Sequence, residues 1–355
     1  MSKPAVYIAV TSHGFGHAVR AATVAEKLRQ LRPDITLIFV TVAPLWLIKS
    51  YVRGNFVYRQ RVFDVGVIQS DSLTMDKQAT LSKMQSIIAE EDIIIAQEAE
   101  YIRHNNVKLI LADIPALAAP IARAADVPCW MMSNFGWDFI YSDWGEDFAE
   151  IVSWIKNYYG QSDRLFRLPL SESMIAFPHI TETGLTGSTP HCEGLKKRFN
   201  LTAPQLKTIL LTFGGLGLQA TPYHNVERFP DWQFITFDRH APDLPNLIKV
   251  ADNTLRPLDF MPLCDRVVSK PGYSTFSEAL CCDLPIVSLT RQGFAEAEIL
   301  LNGIRDYSRH QIVDSEEFFT GEWDFLNRDL TLPRKTEKLA KDGATKIAQE
   351  ISNIV

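Results

Sequence analysis

Short apolar runs alternate with stretches of helical spacing along most of this chain. Residues 6–10 are apolar and partly β-branched, and they stop at a turn rich in glycine and histidine. Residues 18–31 then repeat apolar positions at helical intervals, and 35–42 form a second apolar run. Strand-length runs followed by amphipathic helices predict βαβ units on a parallel sheet. The pattern continues with helix 82–105, strand 107–112, helix 116–125, strand 128–133 and helix 147–158. Residues 168–204 interrupt it: Pro169, Pro178, Pro190 and Pro204 among Gly, Ser and Thr predict a linker with little regular structure. Strands 206–213, 232–237, 265–269 and 284–289, with helix 274–282, restart the alternation, and a helical amphipath closes the chain at 335–354. The expected architecture is α/β, with two doubly wound domains over 1–167 and 205–334 and a C-terminal helix over 335–355 that could pack back on the first. A length of 355 residues fits two cores better than one.

Composition narrows the function classes. Hydrophobic residues at 46% and charged residues at 22% exclude disordered and collagen-like chains. A net charge of −6 supplies no general attraction to nucleic acid or to an anionic membrane, so no nucleic-acid partner is expected. The five cysteines (Cys129, Cys192, Cys264, Cys281 and Cys282) show no metal-ligand spacing, and reduced, mostly buried thiols are the expectation. The first strand begins without the apolar core of a signal peptide, and no segment reaches the length of a membrane span. A cytoplasmic location follows as an expectation. Residues 43–53 mix aromatic, aliphatic and basic side chains and could touch a membrane surface, although an ordinary half-buried helix accounts for them as well.

The candidate chemistry starts where the first strand ends, in Thr11-Ser12-His13-Gly14-Phe15-Gly16-His17. Glycines at a strand-to-helix turn let a ligand approach the backbone, and a helix N-terminus favours negative charge. The dinucleotide pattern Gly-x-Gly-x-x-Gly is not met, because Arg20 follows Ala18 and Val19. Asp113 ends the strand 107–112, where neighbouring strand ends could bring it beside His17. A carboxylate there would fix the imidazole tautomer and stabilise its charged form, as a general base requires. Capping the helix near Pro115 would suit Asp113 equally well.

The loop Ser12–His17 followed by a helix resembles the opening of GT-B glycosyltransferases, above all the glycosyltransferase-like N-terminal half of plant L-arabinokinases. The resemblance continues through residues 64–76 (Asp-Val-Gly-Val-Ile-Gln-Ser-Asp-Ser-Leu-Thr-Met-Asp), Ser133-Asn-Phe-Gly-Trp-Asp-Phe-Ile-Tyr141, Phe213-Gly-Gly215 and Lys270-Pro-Gly-Tyr-Ser-Thr-Phe-Ser-Glu-Ala-Leu280. No kinase phosphate loop is visible, so sugar kinase activity is not implied. A more distant resemblance is to MurG-type and family-one glycosyltransferases, whose Gly-x-x-Thr-x-x-Glu pattern reads here as Gly272 to Glu278. Departures from those patterns are Leu216 in place of a Ser after the paired glycines, and the absence of the glutamine-rich donor signature of family one.

The resemblance implies a GT-B fold, with an acceptor-side Rossmann-like domain followed by a domain that binds a nucleotide sugar. It implies that His17, oriented by Asp113, is the base of an inverting, metal-independent transfer from a UDP-sugar to a hydroxyl acceptor, with no cofactor beyond that donor. Gly14, Gly16, Gly214, Gly215, Lys270, Gly272, Ser274 and Thr275 would bind the donor, with Lys270, Gly272 and Thr275 at its diphosphate, Glu278 at the ribose and Glu296 at the donor sugar. His13, Trp137 and Asp138 are acceptor-side candidates, an aromatic to stack on a sugar and polar groups to bind it, although core packing accounts for Trp137 equally well. Two other readings stay open at this point: a nucleotide-sugar 2-epimerase and a non-catalytic nucleotide-sugar-binding module.

Overall fold

A computed structural model describes residues 3–70, 73–201, 206–215 and 217–355. The departure noted at Leu216, part of the 64–76 block and the end of the 168–204 stretch therefore lie outside the described residues. The strands are β1 (Ala5–Val10), β2 (Thr36–Val40), β3 (Val57–Arg59), β4 (Val107–Asp113), β5 (Cys129–Ser133), β6 (Arg164–Arg167), β7 (Ile180–Glu182), β8 (Lys207–Thr212), β9 (Trp232–Thr236), β10 (Leu247–Lys249), β11 (Arg266–Ser269), β12 (Ile286–Leu289) and β13 (His310–Val313). They form two parallel sheets, ordered β3-β2-β1-β4-β5-β6-β7 and β10-β9-β8-β11-β12-β13. Helices of the first half are α1 (Gly16–Leu31), α2 (Leu45–Tyr51), α3 (Lys77–Ala89), α4 (Glu91–His104), α5 (Ala118–Ala125), α6 (Trp137–Ser142) and α7 (Ala149–Tyr159). The second half adds α8 (Leu195–Arg198), α9 (Pro257–Phe260), α10 (Tyr273–Cys281), α11 (Glu296–Tyr307), α12 (Ser315–Thr320) and α13 (Gly343–Ser352).

Strand alternation sorts the core. In β1, Val6, Ile8 and Val10 join one cluster, while Ala5, Tyr7 and Ala9 join the cluster on the opposite face of the sheet. Leu109 and Leu111 of β4 divide from Ile110 and Ala112 in the same way, as a pleat of period two requires. The first cluster runs on without a break into Leu210, Ile235, Val267 and Ile286 of the second sheet. Helix α1 makes this continuity possible. Its alanines 18, 21, 22 and 25 are buried, and it packs against α2, α10 and α13. Small side chains let helices approach from several directions.

Some elements differ from the sequence-based expectation. The single helix expected over 82–105 is two, α3 and α4, that meet at Glu90. The stretch 168–204 contributes β7, which pairs with β6 at the edge of the first sheet. The final helix is shorter than 335–354. Before it, residues 335–342 run as a strap, where Lys338 and Lys341 pair with Asp283 and the Ala340 carbonyl accepts from the Leu185 amide.

Strand order positions the site. The first sheet reverses its winding between β1 and β4, and the second between β8 and β11. Ligands of doubly wound sheets lie outside the carboxyl ends of the strands at such switch points. The loop 11–16 leaves β1 there, Asp113 ends β4, Gly214 and Gly215 follow β8, and Lys270 to Gly272 follow β11.

Candidate active site

Parallel register sets Val10 opposite Asp113, and the Thr11 amide donates to the Asp113 carbonyl. From there the loop turns into α1 and returns His17 over the end of β4. The His17 Nδ1 lies 2.7 Å from Asp113 Oδ1, and both side chains are buried. Burial alone would push the Asp113 carboxyl up, but the charges of Arg20 and His17 outweigh it and hold the group below the ordinary carboxylate range. An ionised Asp113 can only accept, so Nδ1 carries a proton and Nε2 is the ring nitrogen left outside that bond.

Arg20, which in the sequence only broke a dinucleotide pattern, is the largest addition to the site. Its Nε reaches Asp113 Oδ2 at 2.5 Å and one terminal nitrogen reaches Oδ1 at 2.6 Å. The remaining donors meet Ser133 Oγ at 2.8 Å and Asn134 Oδ1 at 2.6 Å. Arg20 also lies 2.9 Å from His17 Nδ1, but both nitrogens are donors in this protonation state, so the contact is not a hydrogen bond. Asn134 turns its amide nitrogen to Glu296 Oε1 of the second domain at 2.7 Å.

Asp64, which opens the second sequence block, braces the loop from behind. It accepts from the Thr11 hydroxyl at 2.6 Å and from the Ser12 amide at 3.0 Å. Gly66, at φ +59°, passes so close to His13 that a Cβ there would overlap the histidine's own Cβ. The His13 ring stacks on Phe294, with centroids 5.7 Å apart. Burial, then the neighbouring His17, Arg291 and Lys270, hold His13 well below the usual imidazole range.

His13, Gly14, Gly16, His17, Gly214, Gly215, Lys270, Gly272, Ser274, Thr275 and Glu296, all singled out in the sequence, line one cavity of about 100 Å³ between the sheets. Arg20 and Arg291 line it too. The domains touch across it. The Ser274 hydroxyl donates to the Gly16 carbonyl at 2.7 Å, and Gly215 lies so close to the Phe15 ring that a side chain would collide with it. The N-terminus of α10 therefore faces the first loop directly.

Three of the residues singled out in the sequence are not among those that line this cavity. Trp137 is a packing residue rather than an acceptor platform: it is buried, donates to Thr11 Oγ1 at 3.1 Å and backs both His13 and His17. Asp138 is buried outside the cavity, and burial followed by Glu172 raises its carboxyl to about 6. Glu278 does not line this cavity. Its Oε1 accepts from the Tyr51 hydroxyl of α2 at 3.0 Å, and burial pushes the carboxyl up to about 7 despite that bond and the nearby Arg256. Tyr51 and Arg256 line a second cavity of about 570 Å³, between α1 and α2 on one side and residues 188–191 and 253–256 on the other. The 43–53 stretch is a half-buried helix, with Leu47, Ile48 and Tyr51 inside and Trp46 packed on Phe15. Among the described residues no three His, Cys, Asp or Glu side chains gather as metal ligands, and no helix is long and apolar enough to cross a membrane.

No protein-family model matches the chain. It is 28% identical over 335 residues to the L-arabinokinase of Arabidopsis thaliana. That match covers 91% of this chain and 32% of the relative, so the chain spans about a third of the relative's length. Among solved structures, the glycotransferase of kitacinnamycin superposes with a TM-score of 0.62 at 15% identity, covering 99% of both chains. A UDP-glucose: anthocyanidin 3-O-glucosyltransferase in complex with UDP gives 0.61 at 12% identity, covering 100% of this chain and 95% of that one. A protein named as a UDP-N-acetylglucosamine 2-epimerase, from Listeria monocytogenes, gives 0.53 at 14% identity, with 98% and 91% covered. At these identities the likeness is one of fold: the chain has the two-domain GT-B fold of the glycosyltransferases.

Proposed function

We propose that the protein is a metal-independent, inverting glycosyltransferase that moves a sugar from a UDP-sugar to a hydroxyl acceptor. The observation that carries this reading is the pairing of His17 with Asp113 across one cavity from the N-terminus of α10. The His17 Nε2 takes the acceptor proton as the acceptor oxygen bonds to the anomeric carbon. The bond from that carbon to the diphosphate breaks with its electron pair on the leaving UDP. The α10 amides and Lys270 meet the charge that develops there. Glu296, beside Asn134, is placed to accept from donor-sugar hydroxyls.

A cavity of about 100 Å³ is below the ~300–1,000 Å³ of ligand sites, so the domains part to admit the donor. In this reading the nucleoside half enters the 570 Å³ cavity and its ribose hydroxyls replace Tyr51 on Glu278. UDP binding by the fold's solved neighbour supports the choice of nucleotide. Five free cysteines suit the reducing cytoplasm in which we place the enzyme.

An epimerase needs several acids at the anomeric carbon, whereas Glu296 is the one carboxylate among the described residues that line the cavity. The test is UDP release from UDP-sugars with and without acceptor, on wild type and His17→Ala. Acceptor-dependent release that falls by ~10²-fold or more in the variant, with UDP affinity retained, is expected of a general base. An isomerised donor, or a variant that keeps more than about a tenth of the rate, overturns the assignment.

A further inference from the structure

The buried carboxylate beside His17 also carries a guanidinium. Arg20 engages both oxygens of Asp113, and its other donors are tied to Ser133 and Asn134. Its guanidinium also lies 5.3 Å from the ring centroid of Tyr273, the first residue of α10. The Asp113 side chain has no exposure and Arg20 has 2%, so water screens neither charge. A carboxylate this deep, with only an imidazole for company, would satisfy itself by holding a proton between the two groups. That proton would sit on the pair that has to accept one from the acceptor.

Resting on the glycosyl-transfer reading above, we propose that Arg20 is a positioning residue that neutralises Asp113 and so presents His17 to the acceptor with Nε2 unprotonated. Dyad and guanidinium together are neutral when His17 is neutral, and an imidazolium would add a second cation next to Arg20. The charged and titratable groups that face this set are Asp64 and His13 from the first domain, and Tyr273, Glu296, Lys270 and Arg291 from the second. Asp64 is engaged by Thr11 and Ser12, and the charges of Lys270 and Arg291 disfavour a proton on the neighbouring His13. Through Asn134 the guanidinium also reaches Glu296, so the base and the proposed sugar contact share one buried network.

The experiment compares wild type, Arg20→Lys and Arg20→Met in two readouts: the pH dependence of kcat for transfer, and nitrogen-15 NMR of histidine-labelled protein. In wild type at pH 7.5 the His17 ring is expected neutral with its proton on Nδ1. In Arg20→Met the Asp113–His17 pair retains a proton at that pH, kcat falls at least tenfold, and raising the pH to 9 restores much of it. UDP affinity is measured on the same preparations, so that a loss of donor binding is told apart from a change in the protonation of the pair. Arg20→Lys keeps the charge and hence the wild-type pH profile, at a lower rate. An imidazolium in wild type at pH 7.5 overturns the proposal even if Arg20→Met does not fold. So does an Arg20→Met profile parallel to that of wild type. If wild type transfers no sugar to any acceptor, the functional reading fails separately, and the NMR states still decide the role of Arg20.

Discussion

Glu278→Gln is an informative perturbation, because one buried group is expected to act on stability and, under the proposed function, on nucleotide binding. The Glu278 carboxyl is raised from 4.5 to about 7 by burial, which Tyr51 and Arg256 offset only in part. A folded-state value above the unfolded one means the group favours folding below pH 4.5, and that this contribution disappears as pH rises through 7. At about 1.4 kcal/mol per tenfold change, holding the carboxylate ionised in the folded protein costs about 3 kcal/mol above pH 7. Glutamine keeps the acceptor for Tyr51 and carries no charge. The variant is therefore expected to be more stable than wild type at pH 8.5 by up to about 3 kcal/mol, or about 4 °C in melting temperature for a chain of this length. At pH 4, where the wild-type carboxyl is protonated in the folded state and largely so in the unfolded one, the two should melt together. Calorimetric UDP affinity reads the functional side. Wild-type affinity should rise with pH through 7 as the carboxylate becomes available to ribose hydroxyls, while the variant binds more weakly and shows no such rise. A variant less stable than wild type at pH 8.5, or a stability difference that is the same at pH 8.5 and pH 4, would refute the reasoning.

Asp113→Asn leaves Arg20 buried without its counter-charge, so a loss of about 3–5 kcal/mol in stability is expected alongside lost turnover, checked by denaturant unfolding of the folded fraction. Gly66→Ala should lower the melting temperature and displace His13, because the new methyl group overlaps it and the backbone there is left-handed; unchanged melting would count against this packing. Transfer should survive EDTA, with Lys270 and the α10 N-terminus carrying the diphosphate charge, and a full loss restored by magnesium or manganese would contradict it.

What the sequence determined by itself is local and periodic. Alternating apolar runs and helical stretches announced two parallel sheets, because each element's burial pattern repeats within ten or so residues. Turn chemistry marked the glycine loops at 14–16, 214–215 and 272, and all of them fall at the switch points. The weaker elements were not legible. β3, β7 and β10 have three residues each, too few to show a period, and they exist because an edge was available to pair with. Family resemblance named His17 and Asp113, yet the register that joins them needed the sheet.

Tertiary structure alone decided the rest. Arg20 lies 93 positions from Asp113 and 114 from Asn134, and Asn134 lies 162 from Glu296, so no window of sequence contains the network they form. Tyr51 occupies Glu278 from 227 positions away, and Trp137 was drawn under the histidines rather than into the cleft. Burying a charged or aromatic polar side chain requires a partner for it. Sequence records that such a side chain exists; which partner satisfies it is settled only when the two sheets close on one another.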